Sequence, residues 1–480
     1  MGCLIQGQGD WREGKRKVLT NHRKERIDRR LKGPSGSELI NIEGVSIQES
    51  KKSVKEGRLC TTLQSAVINL SYAIKDAKQE LEDALGIKIE QAYFGLGNSE
   101  TRCVKVEDLI PVKNKRTGEI SKDDVIILRQ LIRQVKTESC SEKVLDIYPL
   151  CYYVNGTKRL LDPVGAQGSW LKGEYMLTVG LSDQMNTFKQ LHHRVGMEIQ
   201  KVFINPMITY PLLVSEKEAE EGVVIVDIGS EVTDITIVKE RQVQYFRTIA
   251  VGAELINNDL KSILPIGCNI NKIKHLYGKA MGNDIPENVV IQIGNKEVIH
   301  RNIATVIEAR LIDIAELVMK VVKESGFESQ VNGYVLTGGT AALDQIAELF
   351  EREINRPCRR AETLYGIGKK PQDCEITPGQ HAAVAIMMQA AQYSSSLVVE
   401  VENPVVEPTT VVTTDEPEAE VQNVEPATAQ TDAPKSHTEP ASAAKRERGS
   451  AEKPHEKGTF TKLKRMWNIS RWMGGDDKIK

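Results

Sequence analysis

Asp227, Gly229, Thr233 and Asp234 fall in one short stretch between two β-branched runs, Val223-Val224-Ile225-Val226 and Ile235-Thr236-Ile237-Val238. The pattern predicts two buried strands joined by a tight polar turn. The chemistry these residue types could do is phosphate binding. Gly229 lets backbone approach an anion, Thr233 offers a hydroxyl, and Asp227 and Asp234 can place a water or a Mg2+ ion. Glu231 sets a further carboxylate beside the place a phosphate would take, which opposes anion binding.

A second glycine turn lies more than a hundred residues further on, in Leu336-Thr337-Gly338-Gly339-Thr340. It ends a strand that starts at Gly333 and opens a helix expected from Ala341 to about Arg352, where free backbone N–H groups can meet an adenosine or a phosphate. Alone, either turn reads equally as an ordinary corner of the fold. Together, each after a β-branched strand, they point to one nucleotide held between two halves. Other reactive-looking groups have blander readings. His192 and His193 are expected to be solvated, Asp123 and Asp124 to serve a helix N-terminus, and Tyr152, Tyr153 and Trp170 to pack or to lie at an interface.

The elements that position these turns follow from periodicity. Residues 39–47 read as a strand, 61–85 as a helix capped by Gly86, and 87–96 as a strand ending at Gly95-Leu96-Gly97. Residues 98–175 read as a small inserted α+β unit: a short strand, a basic turn at 113–118, a helix from Ser121 to about Val135, and strands at 144–154 and 174–179. Ser121 as N-cap, with acids in the first turn, marks the helix start. Helices are expected at 183–197, 205–213, 253–264, 271–281, 303–323 and 378–391, with a strand at 202–204.

With 480 residues, 40% of them hydrophobic and 27% charged, the chain can bury two or three cores. A net charge of −2 gives no field that would favour nucleic acid. The eight cysteines form no CxxC pair and no zinc-spaced cluster, as expected of reduced cytoplasmic thiols. No run reaches the roughly 20 apolar residues of a membrane span. Residues 1–37, basic and without period, are expected to be poorly ordered, and Gln6 breaks the myristoylation pattern at Met1-Gly2-Cys3.

Residues 393–458 turn to Val, Glu, Thr, Pro and Ala without amphipathic period, a tether that reaches on the order of 40 to 50 Å. Beyond it, Phe460, Leu463, Met466, Trp467 and Met473 share one side of a helical wheel, Lys464, Arg465 and Arg471 point away, and Trp472 adds a second indole. This is the composition of an interfacial helix.

The order of elements resembles the actin, Hsp70 and hexokinase ATPase clan, and within it the bacterial cell-division family FtsA. Residues 224–234 look like the clan's second phosphate loop and 335–343 like its adenosine loop. Asp162-Pro163-Val164-Gly165-Ala166-Gln167-Gly168 is similar to a segment of the FtsA-specific insert, and the tail resembles the family's membrane-targeting tail. The resemblance implies an actin-like (ribonuclease H-like) two-lobed α/β fold. A truncated first lobe would span 38–97 and 176–215, the insert 98–175, the second lobe 216–392, the linker 393–458 and a membrane-targeting segment 459–480. ATP would be held by Asp227, Gly229, Thr233, Asp234, Lys274, Gly338, Gly339 and Thr340, with Mg2+ at Asp227; Asn271 stands where the family has a ribose-binding Glu. The implied role is that of a scaffold with little or no ATPase activity and no catalytic residues. It would polymerise into filaments, bind FtsZ and other division proteins, and sit at the inner leaflet of the cytoplasmic membrane at the septum. The clan's first phosphate loop, an Asp-x-Gly-Thr strand, has no counterpart in residues 1–37, which implies a misassigned start or a lost half of the phosphate clamp. The competing readings are a pilus-assembly adaptor, which shares the insert but not the tail, and a phosphotransferase, which needs the missing loop.

Overall fold

The computed structural model describes residues 3–7, 54–55, 58–59 and 64–402, the last except 87, 115, 135–141, 157, 183–189, 192 and 369–375. The expected strand at 39–47, most of the expected helix at 183–197, and the tether and terminal helix lie outside these residues.

Strand β1 (Cys3–Gly7) is followed by a small ladder, β2 (Val54–Lys55) with β3 (Arg58–Leu59), helix α1 (Gln64–Leu85) and strand β4 (Ile89–Leu96). Gly86, at φ +66°, ends α1 in the left-handed region as expected. β1 runs antiparallel to β4, within a tail expected to hold no element. Its Leu4-Ile5 core is too short to register as a periodic signal.

The insert follows as β5 (Arg102–Pro111), α2 (Lys122–Arg133), β6 (Glu142–Val154), β7 (Lys158–Leu160) and β8 (Trp170–Leu181). Ser121 caps α2 in a reciprocal box: its hydroxyl accepts from Asp124 N (3.3 Å) while Asp124 Oδ2 accepts from Ser121 N (2.9 Å). Asp124 is fully buried and also accepts from Lys113 N, so it is a structural carboxylate.

The chain then forms β9 (Glu198–Ile204), α3 (Asn205–Ile208), α4 (Tyr210–Leu213), α5 (Glu216–Glu221), β10 (Val223–Ile228), β11 (Thr233–Lys239) and β12 (Gln242–Ile249). The single helix expected at 205–213 is two, because Pro206 and Pro211 each start a turn and neither has an N–H to continue one. Beyond β12 come α6 (Ala253–Leu260), α7 (Ile270–Tyr277), the hairpin β13 (Val290–Ile293) and β14 (Lys296–Ile299), α8 (His300–Glu324), β15 (Gly333–Thr337), α9 (Ile346–Ile354), β16 (Cys358–Arg360) and α10 (His381–Glu402). The helix expected straight after Gly339 is delayed: a 3-10 turn, Gly339–Ala342, comes first, and α9 starts after Gln345 at φ +61°. Helix α10 runs past the composition break to Glu402, so the tether does not begin at 393. No Pro or Gly interrupts it until Asn403-Pro404.

One sheet has the order β1-β4-β9; a nine-stranded sheet runs β16-β15-β10-β11-β12-β5-β8-β6-β7 and so continues from the second lobe into the insert. That continuity is carried by one ladder pair, Arg247 with Arg102. β10 is covered on both faces. Val223 and Ile225 join the core shared with β4, β9 and α10, while Val224, Val226 and Ile228 join the core under α8 and α9. Two-sided burial is why the run is continuously apolar rather than alternating. The insert has its own core around Leu128, Ile132, Leu171 and Tyr175.

Candidate nucleotide cleft

Asp227 lies on the same face of β10 as Val223 and Ile225, opposite Asp234 in the antiparallel ladder and beside Thr337 in the parallel one. Burial, and then the neighbouring Asp234 carboxyl, push its pKa up to about 7. Burial pushes Asp234 to about 6, against a hydrogen bond from the Thr248 hydroxyl that favours its charged form. Like charges directly opposite across a ladder repel, and a cation relieves them.

The turn after Asp227 closes with a 2.9 Å bond from Gly229 N to Val232 O. Its carbonyls are taken by the first turn of α6: Ala253 N donates to Gly229 O (2.9 Å) and Glu254 N to Ser230 O (2.8 Å). A Cβ on Gly252 would lie 2.5 Å from Ser230 O, so glycine is required for that approach. Thr233 is buried and its hydroxyl donates to Val251 O at 2.8 Å, which fastens β11 to the start of α6 rather than presenting a donor to solvent. Glu231 sits half-buried in the turn.

Gly338 brings the second turn onto Asp227. At φ +86°, a Cβ there would stand 2.4 Å from Asp227 Oδ1 and 2.6 Å from Ile228 O. Gly339 by contrast has open space where a Cβ would point. Thr340 is buried. The segment then reaches α7: Ala280 N donates to Asp344 O (2.9 Å), and a Cβ on Gly278 would touch Leu343.

Lys274 completes the ring between α7 and α6. Its Nζ donates to Asn257 Oδ1 at 2.8 Å, and Asn257 Nδ2 donates to Glu254 (2.8 Å) and Asn271 (3.0 Å). Burial lowers the Lys274 pKa, opposed by Glu254. The two glycine turns are thus linked through α6, a polar network and α7.

Three participants were not legible in the sequence. His381 is buried with Nδ1 2.7 Å from Thr337 Oγ1, and burial pushes it down to about 4, so the ring is neutral. Asn205 and Gly97 close the opposite wall: a Cβ on Gly97 would lie 2.9 Å from Asp234 Oδ2 and 3.2 Å from Asn205 Nδ2. None of these contacts is local in sequence, and no spacing rule reports them.

The residues fit a nucleotide carrying Mg2+. Mg2+ keeps several waters and is usually held by one or two carboxylates plus substrate phosphates. Asp227 with Asp234 supplies that pair, Gly338 and Gly339 supply backbone and room, and among the described residues no cluster of three or more ligating side chains would hold a metal alone.

Two family profiles match the chain: "Cell division protein FtsA" over residues 224–385 and "SHS2 domain inserted in FTSA" over residues 98–179. Together they take in about half the sequence, including both glycine turns and the insert. Among curated relatives, the FtsA of Neisseria meningitidis is 23% identical over 369 residues, covering 75% of this chain and 86% of that protein. The FtsA of Bacillus subtilis is 24% identical over 347 residues, covering 71% and 77%. Among solved structures, a PilM–PilN type IV pilus biogenesis complex aligns with a TM-score of 0.48 at 14% identity, over 70% of this chain and 88% of that one. The profiles and relatives agree on one assignment: the chain is a cell-division protein of the FtsA family, carrying that family's SHS2 insertion.

Proposed function

We propose that this protein is a nucleotide-dependent scaffold that ties FtsZ filaments to the cytoplasmic membrane at the division septum. The observation that carries the nucleotide part is the convergence of Asp227, Asp234 and the Gly338-Gly339 turn, which creates a raised-pKa carboxylate pair beside open backbone. ATP with Mg2+ relieves the repulsion there and meets the N–H groups of the glycine turn, while the network around Lys274 and Asn271 takes the ribose side. Thr233 then serves the hairpin's anchorage more than the phosphate. Thr340 shapes the turn from beneath.

The division we propose is a first lobe, the insert, a second lobe, a tether that starts after Glu402 and a terminal membrane helix. Phe460, Leu463, Met466, Trp467, Trp472 and Met473 enter the interface, while Lys464, Arg465 and Arg471 meet anionic headgroups. No helix among the described residues is long and apolar enough to cross a membrane. One such helix binds feebly; filaments of the protein add many together. With the Glu231 carboxylate set beside the place a phosphate would take, ATP turnover is expected well below the roughly 1 to 100 per second of kinases.

Sedimentation of the full chain with anionic liposomes and FtsZ tests the scaffold reading. FtsZ should pellet only with the protein present, and removal of residues 459–480 should leave both in solution. Equal partition with and without those residues contradicts the membrane role.

A further inference from the structure

Helix α10 borders the cleft at one end and reaches the insert through Lys201 at the other. At its first residue, His381 holds Thr337, which pairs with Asp227 and precedes Gly338. Just before it, Gly379 packs on the glycine turn, where a Cβ would be 3.5 Å from Gly339 Cα. About three turns further along, the Tyr393 ring meets Tyr93 (6.4 Å) and Phe203 (6.2 Å) edge-on. Lys201 Nζ stands 4.8 Å above that ring and 3.0 Å from Asp146 Oδ2, on β6 of the insert. Asp146 is buried, so this pair is little screened. Between the two ends, Val384, Ala385, Ile386 and Ala390 are core residues. A Cβ on Gly95 would come within 2.4 Å of Ile386 Cδ1.

We propose that α10 couples the glycine turn of the cleft to the insert, with His381 as the positioning residue at one end and the Tyr393–Lys201–Asp146 contact at the other. A helix is stiff over three turns, and a close-packed core transmits a displacement rather than absorbing it. A ligand that shifts Gly338-Gly339 must move Thr337 or His381, and the far end then moves Tyr393 against the ammonium that also holds Asp146. Lys201 is suited to this because a cation over a ring and a charge-assisted hydrogen bond both depend steeply on its position. The same helix continues to Glu402 and so leads into the tether. The nucleotide arm of this inference rests on the proposed ATP reading; the mechanical arm does not.

Hydrogen exchange on the full chain separates the two. Without nucleotide, Asp146→Asn and Lys201→Gln should each speed exchange in 381–393 and in 337–343 by roughly threefold or more, and the double variant should not exceed the larger single effect. His381→Phe should uncouple 337–343 from these changes, and His381→Asn, which can still hydrogen-bond Thr337, should restore the coupling. Exchange that changes only within the insert and β9, or that changes additively, overturns the proposal. With MgATP, protection of 337–343 should be accompanied by protection of 142–154. A wild-type chain that MgATP does not protect at all contradicts the nucleotide reading instead, and the nucleotide-free comparison then decides the coupling alone.

Discussion

Asp227 and Asp234 stand directly opposite each other across the β10–β11 ladder, on the face of the sheet that looks toward Gly97 and Asn205. Their raised pKa values give the fold a pH dependence of definite sign. With folded values of about 7 and 6 against an ordinary 3.8, the folded chain keeps protons that the unfolded chain has released. Stability without ligand therefore falls as pH rises from about 4 to 7. Asp227→Asn should be more stable than the parent at pH 8 by about 1 to 2 kcal/mol and equal to it near pH 4. Urea unfolding at the two pH values checks this.

His381 acts in the opposite sense. Its folded value of about 4 lies below the ordinary 6.5, so the unfolded chain takes up the proton first. The stability it permits is complete above pH 6.5 and is lost as pH falls toward 4. His381→Asn should flatten the loss between pH 6.5 and 4 by on the order of 2 kcal/mol, measured by the same unfolding series.

The two turns, their strands and the insert's helix start were legible because each depends on neighbours in sequence: a β-branched run, a glycine at a sharp turn, a Ser three residues before an acid. What escaped depends on residues far apart. β16 (Cys358–Arg360) is too short and polar to signal a strand and becomes one because β15 offers an open edge. His381 and Asn205 gain their place from packing between sheets. Thr233 was legible as a phosphate donor, yet its hydroxyl is committed to Val251, a choice fixed by where α6 begins.

Thr233→Val tests that commitment. The loss of the bond to Val251 O should cost about 1 to 2 kcal/mol of stability, because the carbonyl is left without this partner. MgATP affinity should change by less than about threefold, under the 1.4 kcal/mol of a tenfold step. A large affinity loss at unchanged stability would assign the hydroxyl to the phosphate.

In the insert, Ser121→Ala removes one half of the capping box around Asp124. It should destabilise the insert by about 1 kcal/mol, visible as faster hydrogen exchange in 122–133, with 253–354 unaffected.

The central claim is that the Gly338 turn and Asp227 form one nucleotide site, and a calorimetric titration of the full chain with MgATP tests it most directly. Saturable binding is predicted for the parent. Gly338→Ala, whose Cβ would fall 2.4 Å from Asp227 Oδ1, should weaken it by about tenfold or more, and Asp227→Asn by a similar factor. No binding by the parent, or equal binding by all three chains, would contradict the account.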